Sequence, residues 1–353
     1  MKVKLLALLV VGVFLMTSTA CIAIVGVDSD ATAAYSVTDD RSPATTLEFD
    51  VPFDYVVSLG LGFTSAIKQI GKESKLILVD TGSKDEVSGV PTIATTDYTD
   101  VAQKIDTIKA EKGIDSKDKI LIITYSYTSA AKFTALSDNG YTKVLGFYPK
   151  SYDDVANYVE KMETLLGAEH TKSNEMKDAA KAVVDKMAGY KDAKTNAVYL
   201  SYSSNAFKIA NTGSIAVSMF EKCGAVNAGY DSGKSSSYVP DEGIGAFLTA
   251  KINNGALNVI FLDGNYAGTA ADFIAEQSLT DKDVKVYKLE KTWNSYTPDT
   301  MDGLNYMAKC CYPSVFGNPE GDDKEPFNYT TVIIVVIAAV AVLGVAFFVM
   351  RRH

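Results

Sequence analysis

Residues 152–190 read YDDVANYVEKMETLLGAEHTKSNEMKDAAKAVVDKMAGY, with no proline and with glycine only at Gly167 and Gly189. Ala, Lys, Glu, Asp, Met and Val dominate, and Val155, Tyr158, Val159, Met162, Leu165 and Leu166 fall at helical spacing. The stretch predicts one long helix, or two joined near Gly167. Upstream, Tyr35–Val37 and Leu47–Val51 have strand character around the turn-rich DDRSPAT. YVVSLGLG is then a strand running into a glycine loop, with a helix from Thr64 to Ile70. The buried strand LILVD, a helix over 97–112, the strand ILIITYSY, a helix over 128–137 and the strand KVLGFY follow. Downstream the alternation restarts with AVYLSYSS, a helix over 214–223, a Gly/Ser/Tyr loop, a helix near 242–252, VIFLD, a helix from Ala270, VKVYKLE and a last helix over 299–311. Strands that alternate with helices predict parallel sheets with covered faces. The expected fold is α/β: two Rossmann-like lobes, residues 35–150 and 193–317, joined by a long backbone helix at 151–192.

Both ends of the chain carry membrane signals. Lys2 and Lys4 precede LLALLVVGVFLM, the charged and apolar regions of a secretory leader, so residues 1–34 are expected to direct export. Cleavage after Ala20, cleavage near Ala31–Ala34, and an uncleaved N-terminal anchor all fit. Ser at the position three before Cys21 argues against lipoprotein processing. The polar stalk 318–331 includes NPEGDDKEPFN, and Asn328 in Asn-Tyr-Thr stands in a glycosylation sequence. Residues 332–350, VIIVVIAAVAVLGVAFFVM, hold no charge and just span a bilayer core of ~30 Å. Arg351 and Arg352 mark the tail 351–353 as cytoplasmic, with the ectodomain outside.

Composition narrows the function. The net charge is −9, which argues against nucleic acid as a partner. Arg41 is the only arginine between leader and anchor, so a bidentate arginine clamp on an anionic ligand is almost excluded. Of the two histidines, His353 ends the chain and His170 lies in a polar helical stretch. One histidine cannot build a multi-histidine metal site, and no nucleophile motif surrounds it, so an exterior hydrolase is disfavoured. If Cys21 leaves with the leader, Cys223, Cys310 and Cys311 remain. In an oxidising compartment a bond from Cys223 to Cys310 or Cys311 is expected, with free structural thiols as the alternative.

The order of four segments resembles the substrate-binding proteins of ABC importers for iron complexes, haem and cobalamin. YSVTDD followed by DYVVSLGLGFTSAIKQIG resembles that family's opening, and YDDVANYVEKMETLLG its backbone helix. AVYLSYSSNAFKIANTGSIAVSMFEKCGAVNA resembles the second-lobe opening. ALNVIFLDGN and TWNSYTPDTMDGLNYMAKCCYP resemble the closing strand, Trp loop and last helix. The resemblance covers roughly residues 35–316. The loop GLGF, the ALN before VIFLD and a C-terminal membrane span depart from the family's usual pattern.

The resemblance implies a non-enzymatic receptor without a cofactor. It would capture a small metal chelate (iron–siderophore, haem or corrinoid) between its lobes and deliver it to an ABC permease and its ATPase. A surface sensor or adhesin with the same fold is the rival. Ligand would sit on loops at the C-terminal ends of the strands. One wall is then 59–64 and 125–128; the other is 202–207, 264–266 and 293–296. The expected ligand contacts are Phe63, Tyr125, Tyr127, Tyr202, Phe207, Lys208, Tyr266, Trp293 and Tyr296, since flat aromatic faces suit a macrocycle or catecholate. A tyrosinate could also ligate ferric iron. Asp263 is either a ligand acceptor or a turn cap. Gly60–Gly62 is either a phosphate cradle or a tight turn. Family analogy gives Asp97 or Asp100 and Glu242 as permease-docking acids, though acids also stabilise helix N-termini. A long backbone helix implies modest lobe closure.

Overall fold

The computed structural model describes residues 34–50 and 52–319. The leader residues 1–33 with Cys21, the stalk from residue 320 with Asn328, and the run 332–350 with its tail lie outside the described residues. No helix among the described residues is long and apolar enough to cross a membrane.

A hairpin of β1 (Ala34–Thr38) and β2 (Thr46–Asp50) opens the fold, with Val37 paired to Leu47. The first lobe follows as β3 (Tyr55–Ser58), α1 (Leu61–Gln69), β4 (Leu76–Asp80), β5 (Thr92–Ile93), α2 (Tyr98–Lys112), β6 (Ile120–Tyr125), α3 (Ala130–Asp138) and β7 (Val144–Phe147). Its sheet runs in the order β5-β4-β3-β6-β7, all parallel. Chain order reverses at β3, so a crevice opens beyond the ends of β3 and β6. The short strands are nearly all apolar because helices cover both faces.

The 152–190 stretch is two helices, α4 (Tyr152–Leu166) and α5 (Thr171–Met187), rather than one backbone helix. Gly167 ends α4 in the left-handed conformation at φ 63°. A Cβ there would also stand 2.9 Å from Pro52 Cβ, so glycine is required on both counts. Ser151 caps the start of α4 by accepting from Asp154 N. The buried carboxylate of Glu163 accepts from Lys172 N at 2.7 Å and from the amide and hydroxyl of Ser173. A side chain of α4 thereby caps α5 and holds the two helices together.

The second lobe comprises β8 (Asn196–Ser203), β9 (Ala206–Ala210), α6 (Ile215–Lys222), β10 (Val226–Asn227), β11 (Ser237–Tyr238), α7 (Ile244–Asn253), β12 (Val259–Leu262), α8 (Ala270–Glu276), β13 (Lys285–Lys288), α9 (Thr300–Cys311) and α10 (Pro313–Phe316). The order is β11-β9-β8-β12-β13, with β10 also on β8. The stretch expected to be a loop at 202–207 is instead an antiparallel hairpin of β8 and β9. Its turn residues Ser204 and Asn205 both have positive φ, 51° and 59°, the two-residue turn that suits strand twist.

One apolar cluster runs from Val56, Phe63 and Phe147 through α4 to Tyr199, Phe261 and Leu304. Six α4 side chains, Val155, Tyr158, Val159, Met162, Leu165 and Leu166, are at most 2% exposed. Burying each aliphatic one contributes about 1.5–3 kcal/mol. Tyr152 N donates to Ser218 Oγ at 2.7 Å, which fastens α4 to α6 of the second lobe. The lobes therefore share a core through the connector.

Cys223, Cys310 and Cys311 are buried and no disulfide joins them, contrary to the expected bond. Cys223 Sγ instead donates to Met219 O at 3.2 Å, one helical turn back.

Candidate functional site

The glycine loop after β3 has a steric purpose. A Cβ on Gly60 would stand 2.9 Å from the Phe63 and Tyr125 rings, and one on Gly62 3.2 Å from Tyr296. The loop backbone thus lets aromatic rings close over it. Phe63, in the first turn of α1, stacks on Tyr296 with centroids 5.4 Å apart. Tyr125, at the end of β6, lies 4.8 Å from Phe63 and 6.1 Å from Tyr296. Tyr127 stacks on Tyr125 at 4.9 Å and meets Tyr148 edge-on at 5.2 Å. Leu61, Tyr127 and Tyr148 are exposed at this edge. Phe63, Tyr125, Tyr127 and Tyr296, all expected from sequence, therefore converge where the two lobes meet.

A hydrogen-bond chain sets Tyr296. Tyr199 OH donates to Asp263 Oδ2 at 2.8 Å, and Asn294 Nδ2 donates to Tyr199 OH at 2.9 Å. Ala216 N, at the start of α6, donates to Asn294 Oδ1 at 3.0 Å. Asp263 also accepts from Tyr202 N and from Asn265. It is a turn cap that locks the 293–296 loop onto the second lobe.

Burial raises the phenols of Tyr125 and Tyr296, with neighbouring tyrosines adding to the effect. It likewise raises Tyr127. The cluster offers neutral O–H donors and apolar faces in this arrangement.

Comparison with solved structures places this architecture. The chain is similar to CeuE of Helicobacter pylori with Ni(II) bound, at TM-score 0.59 and 15% identity over 80% of this chain and 90% of that one. The periplasmic haem-binding protein HutB of Vibrio cholerae matches at TM-score 0.56 and 13% identity, over 73% and 99% of the two chains. The periplasmic vitamin B12-binding protein BtuF of Vibrio cholerae matches at 0.53 and 19%, over 73% and 96%. The chain has the two-lobed fold of these binding proteins. That is the fold the sequence resemblance implies. No protein-family model and no curated protein matches the sequence.

The other expected contacts of this binding-protein fold are placed differently. Tyr202 and Phe207 face each other across the β8–β9 hairpin at 4.8 Å, and Tyr266 joins them at 5.3 and 4.9 Å. Among the described residues no ring contact links this second cluster to the first. Trp293 packs on Tyr306 of α9 at 4.9 Å. Lys208 is exposed on β9, opposite Ser201. Asp97 is the N-cap of α2, accepting from Thr99 N at 2.8 Å, and Asp100 lies in its first turn. Glu242 is exposed just before α7. His170 is bonded to Thr164 Oγ1 at 3.1 Å.

Sequence reading did not single out Tyr148, Tyr199 or Asn294, nor Tyr158 as more than a helix-face residue. Tyr148 follows β7 directly, so its place at a strand's C-terminal end was available as a signal. Tyr199 was not marked by any such position: it lies inside a buried strand and acts by linking Asp263 to Asn294.

Proposed function

We propose that this protein is an extracytoplasmic solute-binding receptor. It captures a metal chelate (iron–siderophore, haem or corrinoid) between its lobes and hands it to an ABC permease. The observation that carries the reading is the convergence of Phe63, Tyr125, Tyr127 and Tyr296 from both lobes at the ends of parallel strands, the position at which α/β sheets take ligands. Offset rings suit a flat conjugated ligand, and their neutral hydroxyls add donors. Binding proteins of the same fold that take haem, vitamin B12 and Ni(II) support the cargo class. The role needs no catalytic step. The apolar run 332–350 would tether the receptor with its ectodomain outside, and 1–34 would export it. Asp97, Asp100 and Glu242, exposed at helix starts in the two lobes, would face permease cations. The shared core through α4 supports modest closure.

The full-length protein in detergent, melted with haemin, cobalamin, cobinamide and ferric siderophores, tests this. A ligand at ~100 times its Kd adds about 2.7 kcal/mol. One clear shift that weakens in Tyr296→Ala supports the receptor. No shift with any of them favours the second reading, a membrane-anchored sensor or adhesin that keeps the fold without transport. The ring-on-ring contact of Phe63 with Tyr296, which fills part of the junction, supports that alternative.

A further inference from the structure

The turn between β1 and β2 is built onto the edge strand of the first sheet. Asp40 N donates to Gly146 O of β7 at 2.9 Å, and Gly146 N donates to the Asp39 carboxylate at 3.2 Å. The Asp39 side chain is wholly buried. It also accepts from Thr45 N at 3.1 Å and from the backbone and guanidinium of Arg41. That guanidinium lies over the Phe133 ring at 4.7 Å, so the one arginine between leader and anchor holds this turn in place. Gly146 permits the close fit. A Cβ there would stand 3.0 Å from Ser126 Cα and 3.1 Å from Arg41 Cγ.

The turn reaches the aromatic junction through one hydrogen bond. The β6–β7 ladder ends at the pair Tyr125 and Phe147, so Tyr148 lies one residue beyond strand pairing. Tyr148 N donates instead to the Asp40 carboxylate at 2.8 Å. The Tyr148 ring meets Tyr127 edge-on at 5.2 Å. These two rings are exposed, whereas Phe63 is fully buried. An incoming ligand therefore meets the corner formed by Tyr127 and Tyr148, and Asp40 fixes one side of that corner.

We propose that Asp40 is a positioning residue of the ligand site: its carboxylate fixes the backbone at Tyr148 and so sets that ring against Tyr127. The inference rests on the receptor reading. It makes the β1–β2 turn, which supplies no ring to the junction, a part of the binding machinery. Asp40 acts there as a hydrogen-bond acceptor and not as a charge.

Calorimetric titration of the full-length protein in detergent with haemin, cobalamin and a ferric catecholate siderophore tests this. For the probe that binds, Asp40→Ala is expected to weaken affinity about three- to tenfold, the scale of one net hydrogen bond. Asp40→Asn removes the charge but keeps an acceptor oxygen, and is expected to recover most of that loss. In a Tyr148→Ala background, Asp40→Ala is expected to have no further effect, because the two residues act as one unit. Asp40 is exposed, so its melting temperature should move by no more than about 2 °C in either variant. Deuterium uptake at the Tyr148 amide should rise in Asp40→Ala and not in Asp40→Asn. Affinity equal to that of the parent protein in Asp40→Ala would overturn the proposal. So would an equal loss in Asp40→Asn, which marks a charge effect, or a full additional loss in the Tyr148→Ala background. If the parent protein binds none of the three probes, the receptor reading fails and this inference falls with it.

Discussion

Phe63 of the first lobe stacks on Tyr296 of the second, their planes 20° from parallel. Phe63 is fully buried, and Tyr296 arrives on a loop anchored through Asn294, Tyr199 and Asp263. Such a pair contributes about 0.5–1.5 kcal/mol beyond its buried area. That is small enough for a ligand to replace.

Gly62→Ala should disturb this contact directly. Its Cβ would stand 3.2 Å from Tyr296 Cδ2 and 3.3 Å from Ser295 Oγ. Overpacking of this kind costs about 1–3 kcal/mol. We expect a lower urea midpoint and altered emission from Trp293, the only tryptophan. An unchanged midpoint together with unchanged emission would refute the contact between lobes.

Alkaline pH should destabilise the protein. Burial raises Tyr125, Tyr158 and Tyr296 above their ordinary value of 10.0. A pKa that is higher in the folded state gives stability that is complete below the unfolded value and lost as pH rises above it. Beyond pH 10 the unfolded chain holds fewer protons than the native one, so stability falls with pH. Urea midpoints measured from pH 8 to pH 11 should decline at the upper end, and less so in Tyr125→Phe.

The three core thiols should be inert in the native protein. Burial pushes the Cys311 thiol up to about 12 and raises that of Cys223 as well. A thiolate-selective reagent at pH 8 should modify Cys223, Cys310 and Cys311 only after denaturant is added. Peptide mapping that finds Cys223 bonded to Cys310 or Cys311 would contradict the structure.

Glu163→Ala should loosen the connector. It removes the acceptor for Lys172 N and for the amide and hydroxyl of Ser173, one of them at a fully buried residue. We expect a loss of about 2–3 kcal/mol in denaturant unfolding, and a smaller one for Glu163→Gln, which keeps an acceptor oxygen.

The sequence by itself determined the layers and their order. Strands such as LILVD and ILIITY are short, apolar and separated by helices, and local pattern suffices to read them. It also marked the aromatic cluster of the first lobe, because Tyr125 ends a strand, Tyr127 follows it and Phe63 comes just after the glycine pair Gly60–Gly62. Gly167 was visible as a possible break, but its necessity came from its left-handed backbone and from Pro52, far away in the chain. Only the tertiary structure decided the rest. Ser204-Asn205 lacks the Asn-Gly signal of a tight hairpin, so local pattern suggests a loop at 202–207 and with it Tyr202 and Phe207 at the junction. Trp293 had the right spacing for a ligand wall, yet Tyr306 lies close enough to take its ring. The cysteine count allows a bond, and packing places the three thiols in the core without a disulfide. Secondary structure follows from local periodicity, whereas side-chain partners are set by contacts between residues tens to hundreds of positions apart, which no local pattern encodes.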